Sequence, residues 1–205
     1  MSEHVIVIGS GFGGLASALR ARKMGFDVTV IERLDQLGGR AQTFERDGFV
    51  FDAGPTVITA PFLFDELFEL FDRKIEDYVE ILPVTPWYRY EFKDGTHLNY
   101  GGSIDDTLKE IERINPADVD GSKNLLAHSE KIFDVGFSQL AHVPFNKFWF
   151  MLKQVPDLIR LGCYRTVWQF TKRYLKDDRL RRAFSIQPLL VGGNPFSTTL
   201  SLIHI

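Results

Sequence analysis

The stretch Val5-Ile6-Val7-Ile8-Gly9-Ser10-Gly11-Phe12-Gly13-Gly14 decides the fold. An unbroken run of β-branched residues describes a strand buried on both faces, as in a parallel sheet, rather than one alternating between core and water. The glycines that follow fit G-x-G-x-x-G, with Gly9, Gly11 and Gly14 at its three fixed positions. Leu15, Ala18, Leu19 and Arg22 then recur at helical spacing, so residues 13–24 read as a helix stopped near Gly25. A second β-branched run, residues 27–32, completes a βαβ unit. Gly9 permits the tight turn, Gly11 lets backbone approach a pyrophosphate, and Gly14 allows close packing of helix on strand. Gly13 stands in the same turn, where free N–H groups at a helix start attract an anion. The competing reading is a glycine-rich turn without a nucleotide; its place between strand and helix favours the dinucleotide.

Glu32 closes the second strand eighteen positions after Gly14, close to where an acidic side chain accepts hydrogen bonds from a ribose diol. Its charge disfavours a ribose 2′-phosphate, an exclusion that the adjacent Arg33 softens. An ordinary exposed glutamate at a strand end is the alternative. Gly38-Gly39-Arg40 offers a second glycine pair whose N–H groups form an anion nest beside a guanidinium. Alone such a triplet is a plain turn; paired with the upstream glycines it reads as a second pyrophosphate contact.

Further along, short extended segments flank Asp47-Gly48, and others, residues 87–92 and 97–100, flank Asp94-Gly95; both dipeptides tolerate positive φ and favour hairpins. Another strand is expected over residues 79–82, giving an antiparallel sheet. From Ser103 helices take over. Ser103 followed by Asp106 forms a capping box, and Asn115-Pro116 ends that helix. Further helices are expected over 119–139, 147–160 and 164–184, the last broken near Asp177. Strands followed by helices suggest a second domain inserted after the first nucleotide-binding elements.

With 44% hydrophobic and 25% charged residues, the 205-residue chain is of globular rather than disordered type. A net charge of -3 argues against duplex nucleic acid as a partner, since neutralising phosphates needs a basic face. Cys163 is alone, which rules out an intrachain disulfide or a thiolate metal cluster, and the chain opens without a signal-like apolar segment. These features point to a reducing, cytoplasmic setting. No apolar run approaches the roughly 20 residues that span a bilayer. The 18 phenylalanines suit either a large apolar ligand or additional core packing.

Taken together, residues 9–14, Glu32, Gly38-Gly39-Arg40 and Phe51-Asp52-Ala53-Gly54-Pro55-Thr56 resemble bacterial-type phytoene desaturases. Leu82-Pro83-Val84-Thr85-Pro86, Asn115-Pro116 and Leu189-Leu190-Val191-Gly192-Gly193-Asn194-Pro195-Phe196 extend the likeness along almost the whole chain. The resemblance implies an FAD-dependent flavoprotein of the amine-oxidase-like class that desaturates phytoene, or a similar lipophilic polyene, by hydride transfer to flavin. It implies an α/β fold: a Rossmann-type FAD-binding unit over residues 1–78, with an inserted α+β substrate-domain portion over 79–205. FAD would be held by Gly9, Gly11, Gly13, Gly14, Glu32, Arg33, Gly39 and Arg40, with Gly54 near the flavin ring.

Relatives of this type continue for roughly as many residues again, so a non-catalytic FAD-binding piece is one alternative, and a carotenoid isomerase or ketolase another. Residues 143–152 are rich in large apolar groups and would suit a peripheral membrane surface. Equally, Phe148, Leu152, Val155 and Ile159 share a face that would suit the second domain's core. Some desaturases have an Arg-Asp pair where Trp149-Phe150 stand, so no acid–base role carries over there. His4, His97, His128, His142 and His204 lack metal-ligand spacing. Neither a catalytic base, a metal nor an oligomeric state is assigned.

Overall fold

The β-branched runs at the amino terminus form two parallel strands, β1 (His4–Ile8) and β2 (Asp27–Ile31), paired in register from His4 with Asp27 to Ile8 with Ile31. A computed structural model describes residues 3–54, 57–140, 143–144, 146–190 and 192–200. It divides into two units, residues 1–82 and 83–205.

In the first unit, α1 (Phe12–Lys23) crosses between β1 and β2, ending in Arg20, Arg22 and Lys23, whose charges complement the carbonyl end of the helix. It covers one face of the strand pair. The other face stays open, with Ile6 56% and Ile8 85% exposed. Next come β3 (Thr43–Arg46) and β4 (Phe49–Asp52), an antiparallel hairpin closed by Asp47 and Gly48, both at positive φ. The hairpin's Phe44 and Phe51 rings stack at 5.2 Å. Then α2 (Phe62–Glu69) packs on α1 through Phe12 against Phe64 and through an Arg20–Glu66 ion pair.

The second unit holds the larger core. Here β5 (Tyr88–Glu91) and β6 (His97–Tyr100) form a second, separate hairpin, joined by a five-residue loop in which Gly95 alone takes positive φ. Helix α3 (Ile104–Ile114) starts at the Ser103–Asp106 capping box and stops at Asn115 before Pro116. It is followed by α4 (Val119–Phe133), α5 (Phe148–Arg160), α6 (Val167–Lys172), α7 (Asp178–Ala183) and α8 (Gln187–Leu190). Leu98, Ile111, Leu125, Leu175 and Leu180 fill the centre. No described helix is long and apolar enough to cross a membrane.

Several expectations need correction. Residues 79–82 form no strand among the described residues; Pro83 follows them, and a proline has no N–H for a ladder. The helix expected over 119–139 becomes α4 and then a π-helical turn, Asp134–Gln139. By contrast, the break expected near Asp177 in the helical stretch 164–184 is present: α6 and α7 are separated by residues 173–177. On α5 the face of Phe148, Leu152, Val155 and Ile159 is exposed rather than core; Phe150 and Leu158 pack inward instead.

Residues 173–177 are fastened by Asp118. Its carboxylate, fully buried, accepts from the N–H groups of Lys176 (2.7 Å) and Asp177 (2.8 Å) and from the Asn115 amide (2.9 Å). Removing it leaves three donors without an acceptor, so Asp118→Ala is expected to destabilise this unit by about 2–4 kcal/mol. Urea unfolding followed by tryptophan fluorescence checks this; an unchanged midpoint would show that the contacts carry little.

Candidate functional site

Three backbone segments of the first unit meet in a cleft of about 560 Å³ lined by Gly11, Phe12, Gly13, Gly38, Arg40, Ala41, Ala53 and Gly54. The glycine turn supplies one wall. Gly9 takes φ +100°, which a side chain would strain, and a Cβ on Gly14 would land on the carbonyl oxygen of Gly9. A Cβ on Gly11 or Gly13 would meet nothing within 4 Å, so backbone there is open to close approach from the cleft. Helix α1 begins at Gly11 without a side-chain cap and with no acid in its first turn, which favours an anion at its N–H groups.

The second wall is the 3-10 turn Gly39–Ala41. Gly38 donates its N–H to the Ser10 carbonyl at 3.0 Å, so this member of the glycine pair braces the glycine turn instead of offering a donor to the nest. A Cβ on Gly39 would lie 3.1 Å from the Gly11 Cα, close enough that the neighbouring backbone must give. Arg40 is exposed, lines the cleft and makes no ion pair among the described residues. The third wall is the exit of β4, where a Cβ on Gly54 would land on the Arg40 carbonyl oxygen. Pro55 and Thr56, which complete that motif, lie outside the described residues.

Of the residues singled out in the sequence, the cleft gathers Gly11, Gly13, Arg40 and Gly54 at its surface. Gly9, Gly14 and Gly39 shape its walls. Glu32 stands at the end of β2 and is tied to the glycine turn through Ser10, a residue that sequence reasoning passed over. Glu32 Oε2 accepts from Ser10 N–H (2.8 Å) and Oγ–H (2.6 Å), and Oε1 accepts from the N–H groups of Arg33 (2.8 Å) and Leu34 (2.9 Å). Arg33 thus contributes its backbone; it does not line the cleft.

The Ser10 hydroxyl, then the Leu34 and Ser10 N–H groups, hold the Glu32 carboxyl down from an ordinary 4.5 to about 2. With the folded value depressed, the interaction is complete above the unfolded value and is lost as pH falls through the folded one. A carbon NMR titration is expected to show a Glu32 midpoint near 2. A midpoint near 4.5 would mean that these donors do not hold it in solution.

The second unit has a larger hollow of about 780 Å³, bordered by His128, Lys131, Arg160 and Tyr174, but none of the glycine motifs reaches it. His128 is occupied by the Tyr174 hydroxyl (2.6 Å) and the Leu161 carbonyl (3.0 Å). His4 meets Thr29 at 2.9 Å, and His142 and His204 lie outside the described residues, as do Phe145 and Val191.

Residues 7–73, which hold all of the cleft, match the family described as the NAD(P)-binding Rossmann-like domain. Along 98% of its length the chain is 44% identical to the lycopene-forming phytoene desaturase of Pseudescherichia vulneris. It is a homologue of the phytoene desaturases. A second lycopene-forming desaturase, from Pantoea ananas, is 45% identical over 97% of the chain. Measured the other way, the chain spans about two-fifths of these curated relatives, 42% and 41% of their lengths. Putrescine oxidase, solved with putrescine bound, superposes with a TM-score of 0.56 at 20% identity, covering 98% of this chain and 40% of the oxidase. At that identity the likeness speaks for the fold, an α/β Rossmann-like dinucleotide-binding unit that is partial relative to the phytoene desaturases.

Proposed function

We propose that this chain provides the FAD-binding elements, residues 1–78, and part of the substrate and membrane-facing region, residues 79–205, of an FAD-dependent carotenoid desaturase acting on phytoene or a similar lipophilic polyene. The observation that carries the reading is the open glycine-and-arginine cleft, in a chain that aligns with phytoene desaturases along 98% of its length. Bound FAD supplies the hydride acceptor that carbon–carbon desaturation needs.

The residues present fit that group. Gly11 and Gly13 let backbone N–H groups reach a pyrophosphate, and Arg40 neutralises its charge from the facing wall. Gly39 brings the second turn against the first, while Gly9 and Gly14 keep strand and helix close enough to present it. Glu32 accepts from the ribose, its carboxylate oriented by Ser10 and by the Arg33 N–H. Gly54, whose missing side chain lets the exit of β4 pack against the Arg40 backbone, would stand near the flavin ring. For a substrate soluble only in lipid, α5 offers exposed Phe148, Trp149, Leu152, Val155 and Ile159 with Lys147, Lys153 and Arg160 among them, a composition suited to a bilayer interface.

Expression in cells that accumulate phytoene tests this, at the present length and at the length of the relatives, with pigment spectra and bound flavin recorded together. Coloured polyenes support the desaturase. Flavin without colour would redirect the reading to another FAD enzyme, such as a carotenoid isomerase or ketolase. Neither flavin nor colour would leave a non-catalytic piece.

A further inference from the structure

The Glu32 carboxylate has four lone-pair positions, and the four donors from Ser10, Arg33 and Leu34 take them all. Three of those donors are backbone N–H groups, fixed by the glycine turn and by the end of β2. Only the Ser10 hydroxyl turns about a single bond. We infer that the Ser10 hydroxyl is a placeholder on Glu32, occupying the acceptor position that a ribose hydroxyl takes when a nucleotide enters the cleft. The inference rests on the dinucleotide reading above and assigns to Ser10 control over how tightly the ribose is held.

In the exchange, one O–H···O⁻ hydrogen bond to Glu32 replaces another, which is close to neutral. What differs is the fate of Ser10. The residue is 0% exposed, so its displaced hydroxyl has no water to turn to. Buried polar groups left without a partner lose more than an average hydrogen bond supplies. Ser10 therefore keeps Glu32 satisfied and ionised before ligand arrives, and weakens ribose binding when it does. The Ser10 N–H stays on Oε2 throughout, so the carboxylate keeps its orientation after the hydroxyl leaves.

The sign of the test is the opposite of that for an ordinary binding residue. By titration calorimetry with ADP, Ser10→Ala is expected to bind roughly threefold to tenfold more tightly than the unaltered chain, the ratio that about one hydrogen bond supplies. Ser10→Thr, which keeps the hydroxyl, is expected to stay within about twofold of the unaltered chain, well below the hydrogen-bond ratio. With 2′,3′-dideoxy-ADP the gain of Ser10→Ala disappears, because no ribose hydroxyl competes for Glu32. Ser10→Gly repeats the expectation should alanine disturb the turn, and circular dichroism checks each fold. Equal or weaker ADP binding by folded Ser10→Ala and Ser10→Gly would overturn the inference, as would a gain that persists with the dideoxy ligand. ADP binding by the unaltered chain without that gain removes only the placeholder. No ADP or FAD binding by the unaltered chain removes the dinucleotide reading and the placeholder with it.

Discussion

Gly11→Leu is expected to give a folded chain that no longer retains FAD. Gly11 has φ -66° and ψ 171°, an extended conformation open to any residue, and a Cβ there meets no atom within 4 Å. The leucine therefore disturbs the protein little beyond its poorer fit at a helix N-cap, a loss of at most about 1 kcal/mol. Its side chain instead fills the space through which backbone N–H groups reach a pyrophosphate. Losing one or two charge-assisted hydrogen bonds is worth about 3 kcal/mol, or a fall of roughly a hundredfold in affinity. Flavin absorbance relative to protein after gel filtration measures it. Stoichiometric flavin on Gly11→Leu would count decisively against the cleft.

Gly14→Ala is expected to fail differently, by damaging the fold as well as the binding. Its Cβ would land on the Gly9 carbonyl oxygen, with the Gly9 carbon at 3.0 Å and Val7 Cγ1 at 3.7 Å behind it. Backbone cannot swing aside as a flexible side chain can, so α1 must move off β1 or the turn must open. A loss of about 2–4 kcal/mol in the first unit is expected. The three tryptophans, Trp87, Trp149 and Trp168, all belong to the second unit, so their fluorescence is blind to this change. Amide exchange of α1 is the readout, and protection equal to that of the unaltered chain would show that the helix does not need this close approach.

What the sequence made legible was local. The β1–α1–β2 unit announces itself because a β-branched run, a glycine turn and a helical period follow one another without interruption. Asp47-Gly48 fixes its hairpin because both residues stand at positive φ, and Ser103 with Asp106 caps α3 within one turn of chain. Helix α2 escaped because it opens at Pro61 with no side-chain cap and runs through closely spaced aromatics that obscure the period. Residues 79–82 have the composition of a strand, but pairing is decided by a partner, and none of the described residues provides one. On α5 the apolar stripe was visible and its direction was not. Periodicity finds a face, whereas burial depends on what packs against it, here Phe150 and Leu158 rather than Phe148 and Ile159.

The cleft was legible in the same uneven way. Gly11, Gly13, Arg40 and Gly54 were each visible as motif members, and the fold brings them to one surface. Ser10 was not, because its partner lies 22 residues away across the sheet and a serine between two glycines has no local signature. The use of Gly38 as a brace to Ser10 is likewise a non-local hydrogen bond, which no triplet of residues reveals.

Every role proposed for these glycines and for Arg40 depends on FAD binding in this cleft. Titrating FAD into the nitrogen-15-labelled chain and following the amide resonances of Gly11, Phe12, Gly13, Gly39 and Arg40 tests it most directly. Saturable shifts concentrated at those five residues and at Ser10 are expected; binding that leaves them unmoved, or no binding at all, would contradict FAD binding in this cleft.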